Sequence, residues 1–225
     1  LTASQAFSAA APPPVTASEL ATGLYFMEGG GGANSMVLAG DDGILVIDAK
    51  LDIASADEEL GVIRGLSNQN IRYLVNTHEH PDHTGGNLSY AGAGAVIIAH
   101  EEVRGLLAAG LRGGPPAPDA ALPSFTFPAG GGLTLHLNGE TIEIEAMPPA
   151  HTTANAMVHF VNANVYQLGD LYSASRYPVL AGGTFQDFRD SIAMVLARAD
   201  STARFIPGNG PVASLQDVQA YSNML

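Results

Sequence analysis

The amino-acid sequence predicts a mixed α/β protein of the α+β type, with two sheets packed face to face and helices on both outer faces. Short apolar, β-branched runs recur along the 225 residues and group in the middle of each half of the chain. Stretches with helical spacing lie outside those groups, which is the arrangement that covers two stacked sheets. The length, with 46% hydrophobic residues, suits one compact domain with a substantial core. No internal repeat is strong enough to establish two equivalent halves.

The opening is rich in Ala and Ser through Ala9-Ala10-Ala11 and then reads Pro12-Pro13-Pro14. It lacks periodicity, so residues 1–22 are expected to be a flexible tether and 23–225 the folded domain. Small residues ahead of a proline run resemble what a cleaved secretory signal leaves behind, so a periplasmic or secreted location is expected. Leu24 to Met27, Met36 to Leu38 and Ile44 to Ile47 are short strands, the last two joined by a hairpin turn at Asp41-Asp42-Gly43. Gly29-Gly30-Gly31-Gly32, between the first two, reads as a floppy hairpin tip or as a mobile flap over a site. Ala54 to Leu66 is a helix with Leu60, Ile63 and Leu66 on one side, and Ile71 to Val75 is a buried strand. A short helix follows Thr84-Gly85-Gly86-Asn87. Ala95 to Ala99 is a strand, and His100 to Leu111 a helix whose acidic first turn complements the helix dipole. The stretch from Gly113 to Pro123 reads as an open loop. Leu133 to Leu137 and Thr141 to Ala146 form a hairpin around Asn138-Gly139, and Met157 to Val161 and Val165 to Leu168 form another. A helix over Phe188 to Ala199, a strand over Ala203 to Ile206 and a helix over Leu215 to Met224 complete the chain.

Composition narrows the function. A formal net charge of −13 argues against nucleic acid and against an anionic membrane as partners. No apolar run approaches the roughly 20 residues of a membrane helix. The absence of cysteine excludes thiolate ligands and a Cys nucleophile.

The chemistry concentrates in His78-Glu79-His80-Pro81-Asp82-His83, directly after the strand Ile71 to Val75. Three imidazoles and a carboxylate at a strand end are nitrogen and oxygen ligands of the kind zinc prefers. Alternate residues of an extended segment point the same way, so His78 and His80 share a side. His151, in Pro148-Pro149-Ala150-His151-Thr152-Thr153, and Asp170, after Gly169 at a strand end, are weak signals taken singly. His100, His136 and His159 lie in regular elements and read as structural.

Taken in order, His78-x-His80-x-Asp82-His83, Ala150-His151-Thr152, Leu168-Gly169-Asp170-Leu171 and Pro207-Gly208-x-Gly210-Pro211 resemble the metallo-β-lactamase superfamily, from about Leu24 to the C-terminus. The resemblance implies an αββα sandwich with a metal pocket between the sheet edges. His78, His80 and His151 would hold one zinc ion, Asp82 and His83 would face a second, and Asp170 would bridge both, with Asp82 and Asp170 as the catalytic carboxylates. It implies a zinc-dependent hydrolase of a small-molecule ester, thioester, lactone or amide, in which hydroxide generated at the metal attacks the carbonyl. Thr77 and Asp48 would orient the imidazoles.

The sequence departs from the family pattern at Asn209, where the family places a metal-binding His. Asn209 is expected to be a weak or absent ligand, leaving one or two zinc ions with the second site weakened. Asp170 stands where dedicated β-lactamases place Cys or Ser, so β-lactam opening is expected to be weak or promiscuous. Tyr172 and the run from Ser173 to Tyr177 read as a surface lip. Two other readings remain: a mononuclear iron oxygenase resembling the persulfide dioxygenases, using His78, His151 and Asp170, and a metal-poor, non-catalytic binding protein. The oligomeric state is not legible.

Overall fold

The computed structural model describes residues 11–174 and 176–225. The chain runs through β1 (Thr16–Ala21), β2 (Leu24–Glu28), β3 (Ser35–Gly40), β4 (Gly43–Ile47), α1 (Ile53–Leu66), β5 (Ile71–Val75), α2 (Pro81–Thr84), α3 (Asn87–Gly92), β6 (Val96–His100), α4 (Glu101–Ala109) and β7 (Phe125–Phe127). It continues through β8 (Gly132–Leu137), β9 (Glu140–Ala146), β10 (Ala156–Phe160), β11 (Val165–Gly169), α5 (Phe185–Leu196), β12 (Arg204–Pro207), β13 (Ala213–Ser214) and α6 (Leu215–Met224). β1 to β7 form one mixed sheet in sequence order, antiparallel as far as β4 and parallel from β4 to β7. The second sheet has the order β13-β12-β11-β10-β9-β8, with β11 and β12 its parallel pair.

Period-two alternation decides which residues meet. Phe26, Met36, Leu38, Leu45, Ile47 and Val75 point from the first sheet into a shared core with Ile142, Ile144, Val158, Phe160, Val165 and Ile206 of the second. Their neighbours face outward. Val37, Val46, Leu74 and Ile97 pack against Leu60 and Ile63 of α1 and Tyr90 of α3. Tyr166, Leu168 and Phe205 pack against Phe188, Ile192 and Val195 of α5 and Val218 of α6. The result is the expected αββα sandwich. No helix among the described residues is long and apolar enough to cross a membrane.

Three expectations are corrected. The tether over 1–22 does not hold over its second half: β1 pairs with β2 as an edge strand, and Val15 is buried against the body of the domain. Residues 1–10 of that tether lie outside the described residues. The tetraglycine segment is neither a free tip nor a flap. All four residues have positive φ, Gly30 N donates to Pro13 O at 2.7 Å, and Ala33 N donates to Asp82 O at 3.0 Å, so the segment packs beneath the His-rich turn. The α5 helix starts at Phe185, three residues early, because Thr184 and Asp187 form a capping box that satisfies its first N–H groups.

Candidate metal centre

β4 and β5 are parallel neighbours, and their C-terminal ends deliver the first part of the site together. Asp48, just past β4, takes a left-handed φ of 66°, uncommon for a non-glycine residue. That turn aims its carboxylate at the next strand end. Thr77 N and Thr77 Oγ1 donate to it at 2.8 and 2.9 Å, and His83 Nδ1 lies 2.8 Å from Asp48 Oδ2. The amides of Asn76 and Asn87 bond reciprocally, and Asn76 Nδ2 also reaches His83 O. Pro81 at the first position of α2 fixes the backbone where a helix N–H would have no partner. The turn from His78 to His83 is thereby braced by buried polar side chains.

His151 and Asp170 arrive from the second sheet. One ligand atom from each of His78, His80, His151 and Asp170 lies within 4.8 Å of the others, and so does one from each of Asp82, His83 and Asp170. Asp170 belongs to both groups. The rings of His78, His80 and His151 stand 4.7 to 4.8 Å apart at interplanar angles of 76°, 90° and 88°. His151 Nε2 lies 2.9 Å from His80 Nδ1 and 3.3 Å from Asp170 Oδ2, while its Nδ1 donates to Val179 O at 2.8 Å, which holds the ring in this orientation. His83 Nε2 faces Asp170 Oδ1 at 3.4 Å without hydrogen-bond alignment.

The donor set fits a cation. His78 Nε2, His83 Nε2 and Asp170 Oδ1 are buried without hydrogen-bond partners, a costly arrangement unless something else satisfies them. Burial, then the neighbouring imidazoles, pulls the His78 pKa well below the usual histidine range, and His80 is lowered by burial and by His151. Both shifts favour the neutral form that metal ligation requires. Burial opposes charge on His83, but Asp48 and Asp170 outweigh it and raise its pKa well above the usual value. Burial acts on Asp170 in the upward direction, and His83, His151 and His80 overcome it and hold the carboxyl below its usual value.

The structure therefore brings together six of the seven residues expected from the sequence, with Thr77 and Asp48 behind them. Asn209, the seventh, is half-buried in the loop between β12 and β13. Its neighbour Gly208 lies so close that a Cβ there would sit 2.0 Å from Asp170 Oδ1 and 3.1 Å from His83 Cε1. Asn34 holds this loop, donating from N to Gly208 O at 2.7 Å and from Nδ2 to Pro207 O and Gly210 O. His100, His136 and His159 stand apart from the cluster: His100 caps α4 and His159 stacks on Tyr166 at 3.9 Å. A cavity of about 540 Å³ begins two residues beyond Asp170, between Tyr172, Arg176, Tyr177 and α6, and shares no residue with the cluster.

Sequence reasoning missed Arg112, whose Nη2 lies 3.3 Å from His80 Nε2. It missed Asn34, Asn76 and Asn87 as braces, and the buried pair formed by Lys50 Nζ and Glu59 Oε1 at 3.5 Å. A lysine just after a strand was the available signal for the last of these, but it reads as surface.

A family model described as the Metallo-beta-lactamase superfamily matches residues 29–208. Among curated proteins, a hydroxyacylglutathione hydrolase from Polaromonas sp. (strain JS666 / ATCC BAA-500) is 30% identical over 143 residues, covering 62% of this chain and 48% of that protein. The 2,4-dinitroanisole O-demethylase subunit alpha of Nocardioides sp. (strain JS1661) is 24% identical over 137 residues, covering 60% of this chain and 40% of that protein. The chain thus spans about half the length, or less, of these relatives. Among solved structures, a metallo-β-lactamase from Pontibacter korlensis superposes with a TM-score of 0.79 at 17% identity, covering 93% of this chain and 98% of the other. The DIM-1 metallo-β-lactamase exposed to ceftazidime superposes with a TM-score of 0.76 at 16% identity, covering 94% and 96%. At such identities these two establish the fold.

Proposed function

Because the chain belongs to the metallo-β-lactamase superfamily, we propose that it is a zinc-dependent hydrolase of a small-molecule thioester or related ester, lactone or amide. The observation that carries this reading is the sharing of Asp170 between two adjacent ligand groups. In it, His78, His80 and His151 would hold one ion, Asp82 and His83 would hold a second, and Asp170 is placed within reach of both groups. Zinc, when bound, supplies Lewis acidity that polarises a carbonyl and acidifies water. The protein's own groups do the rest. Asp48 accepts from His83 Nδ1 and so leaves Nε2 turned to the site, and Val179 O does the same for His151. Asp82, with its side chain 34% exposed and Oδ2 3.6 Å from His83 Nε2, stands where it can take the proton of the attacking water and return it to the leaving group. The relative named as a hydroxyacylglutathione hydrolase favours a thioester, and Asp170 in place of Cys or Ser favours it over a β-lactam.

The experiment is a panel of S-acyl thioester, γ-lactone and nitrocefin, run on dialysed protein with and without added zinc, with bound metal measured. The expected result is zinc-dependent turnover highest on the thioester, more than one zinc per chain, and a loss of at least about 100-fold in His80→Ala. No turnover with zinc, together with oxygen uptake by iron-loaded protein, would replace this reading with the oxygenase.

A further inference from the structure

With nine Lys and Arg against 22 Asp and Glu, a cation beside the metal cluster calls for an account. Arg112 is that cation. It sits in a short 3-10 turn, Leu111–Gly113, after α4, at φ 50° and ψ 34°. A left-handed backbone at a residue with a long side chain costs of order 1–3 kcal/mol and persists where surrounding structure imposes it. Here the loop does so. Gly114 N donates to Leu111 O at 2.8 Å, Ala117 N to Leu107 O at 2.9 Å, and Leu111 packs on the cluster of Val103 and Leu107.

The strained turn delivers the guanidinium to the rim of the site. Arg112 is exposed, and no carboxylate among the described residues pairs with it within 4.0 Å. Its contact is His80 Nε2, at 3.3 Å. The other nitrogen of that ring, Nδ1, faces His151 Nε2 at 2.9 Å and thus the cluster. A neutral imidazole that gives its Nδ1 lone pair to an ion carries its hydrogen on Nε2. Arg112 then loses its acceptor, and two donors, the guanidinium and the Nε2–H, stand side by side at the mouth.

Two adjacent donors, one of them a permanent cation, are a receptor for an anionic oxygen. Glu79, next to His80 in the chain, adds a negative charge beside the pair, so a dianion such as phosphate meets more repulsion here than a singly charged carboxylate does. We propose that Arg112, together with His80 Nε2–H, binds a carboxylate of the substrate and makes the site selective for carbonyl compounds that carry one. This rests on the hydrolase reading and narrows its substrate class.

The test compares S-acetyl-3-mercaptopropanoate with its uncharged isostere S-acetyl-3-mercaptopropanamide on zinc-loaded wild type, Arg112→Gln and Arg112→Lys. A charge-assisted hydrogen bond predicts a preference of about tenfold for the acid in kcat/KM, carried by KM. Arg112→Gln should bring the ratio to about one, and Arg112→Lys should restore part of it. Calorimetry with the unreactive 3-(propylthio)propanoate and its amide should give the same ratios as Kd. Turnover of both thioesters at equal efficiency in wild type, or a ratio that survives in Arg112→Gln, overturns the proposal and leaves the hydrolase reading intact. If neither thioester is hydrolysed, that reading fails, and the calorimetric ratio still decides whether Arg112 binds carboxylates.

Discussion

On the first-sheet side, the site residues are fastened by polar side chains. Asp48 gathers Thr77 and His83, Asn76 and Asn87 tie the turn to α3, and Thr84 Oγ1 donates to Glu79 O and His80 O at 3.1 Å. On the second-sheet side, Asn155 braces the His151 turn and Asn34 braces the loop after β12, but the Asp170 end is fastened backbone against backbone, with Gly208 where a side chain would not fit. Gly208 N donates to Gly169 O at 2.8 Å, Ala181 N donates to His151 O at 2.9 Å, and Gly208 lies directly against the Asp170 carboxylate. The difference sets the kind of change to which each side is vulnerable. The first side should fail when a buried polar partner is removed. On the second side Asp170 itself is held by close backbone approach, so added volume at Gly208 is what should displace it.

The largest effect is expected at Lys50, two residues past Asp48 and wholly buried. Its Nζ donates to Ala33 O at 2.9 Å and pairs with Glu59, which also accepts from Ser35 and Tyr90. Removing one partner of such a pair strands the other charge and costs about 3–5 kcal/mol. Lys50→Met should lower the melting temperature of zinc-loaded protein by roughly 6–20 °C, read by circular dichroism. A change of under about 2 °C would mean that the polar network is decoration and that the first side is held by its apolar contacts.

Next in size is Gly208→Ala, the corresponding insult to the second side. The added methyl carbon would land on Asp170 Oδ1, so the carboxylate common to both ligand groups must move. Affinity for the second zinc should fall about 10–100-fold, the range found when a group supporting a metal ligand is lost. The melting temperature of the metal-free chain should change less than in Lys50→Met. Wild-type zinc stoichiometry after dialysis would show that the loop can retreat and that close approach does not position Asp170.

The same contrast explains what could be read without a structure. The first-side ligands fall within six residues behind a clear apolar strand, so one segment announces them, and the family resemblance adds Asp48 and Thr77 behind them. His151 and Asp170 come from separate loops, and their order along the chain, rather than any local feature, brought them in. Arg112 was hidden because a left-handed turn in a loop rich in Gly and Pro reads as open chain. β1 was hidden because it is a largely polar edge strand behind a proline run, and β7 because three residues make too short a run. Both sheets and their helical cover were legible because alternation in the strands and spacing in the helices are set by burial, the strongest term in the fold.

The smallest expected effect lies at Asn209, the place on the second side where a side chain rather than a glycine is at issue. Asn209 follows Gly208, where an added Cβ would meet both Asp170 and His83, so residue 209 adjoins the group formed by Asp82, His83 and Asp170. An amide oxygen is a neutral and weaker zinc ligand than imidazole. Asn209→His should therefore tighten the second ion by about tenfold and raise the zinc retained after dialysis toward two per chain. The substitution keeps Gly208 and Gly210, so the loop keeps its close approach while gaining a ligand, which separates the two contributions. If retention is unchanged, the loop's task ends with its fit against Asp170 and His83, and the second side positions metal ligands without supplying one of its own from position 209.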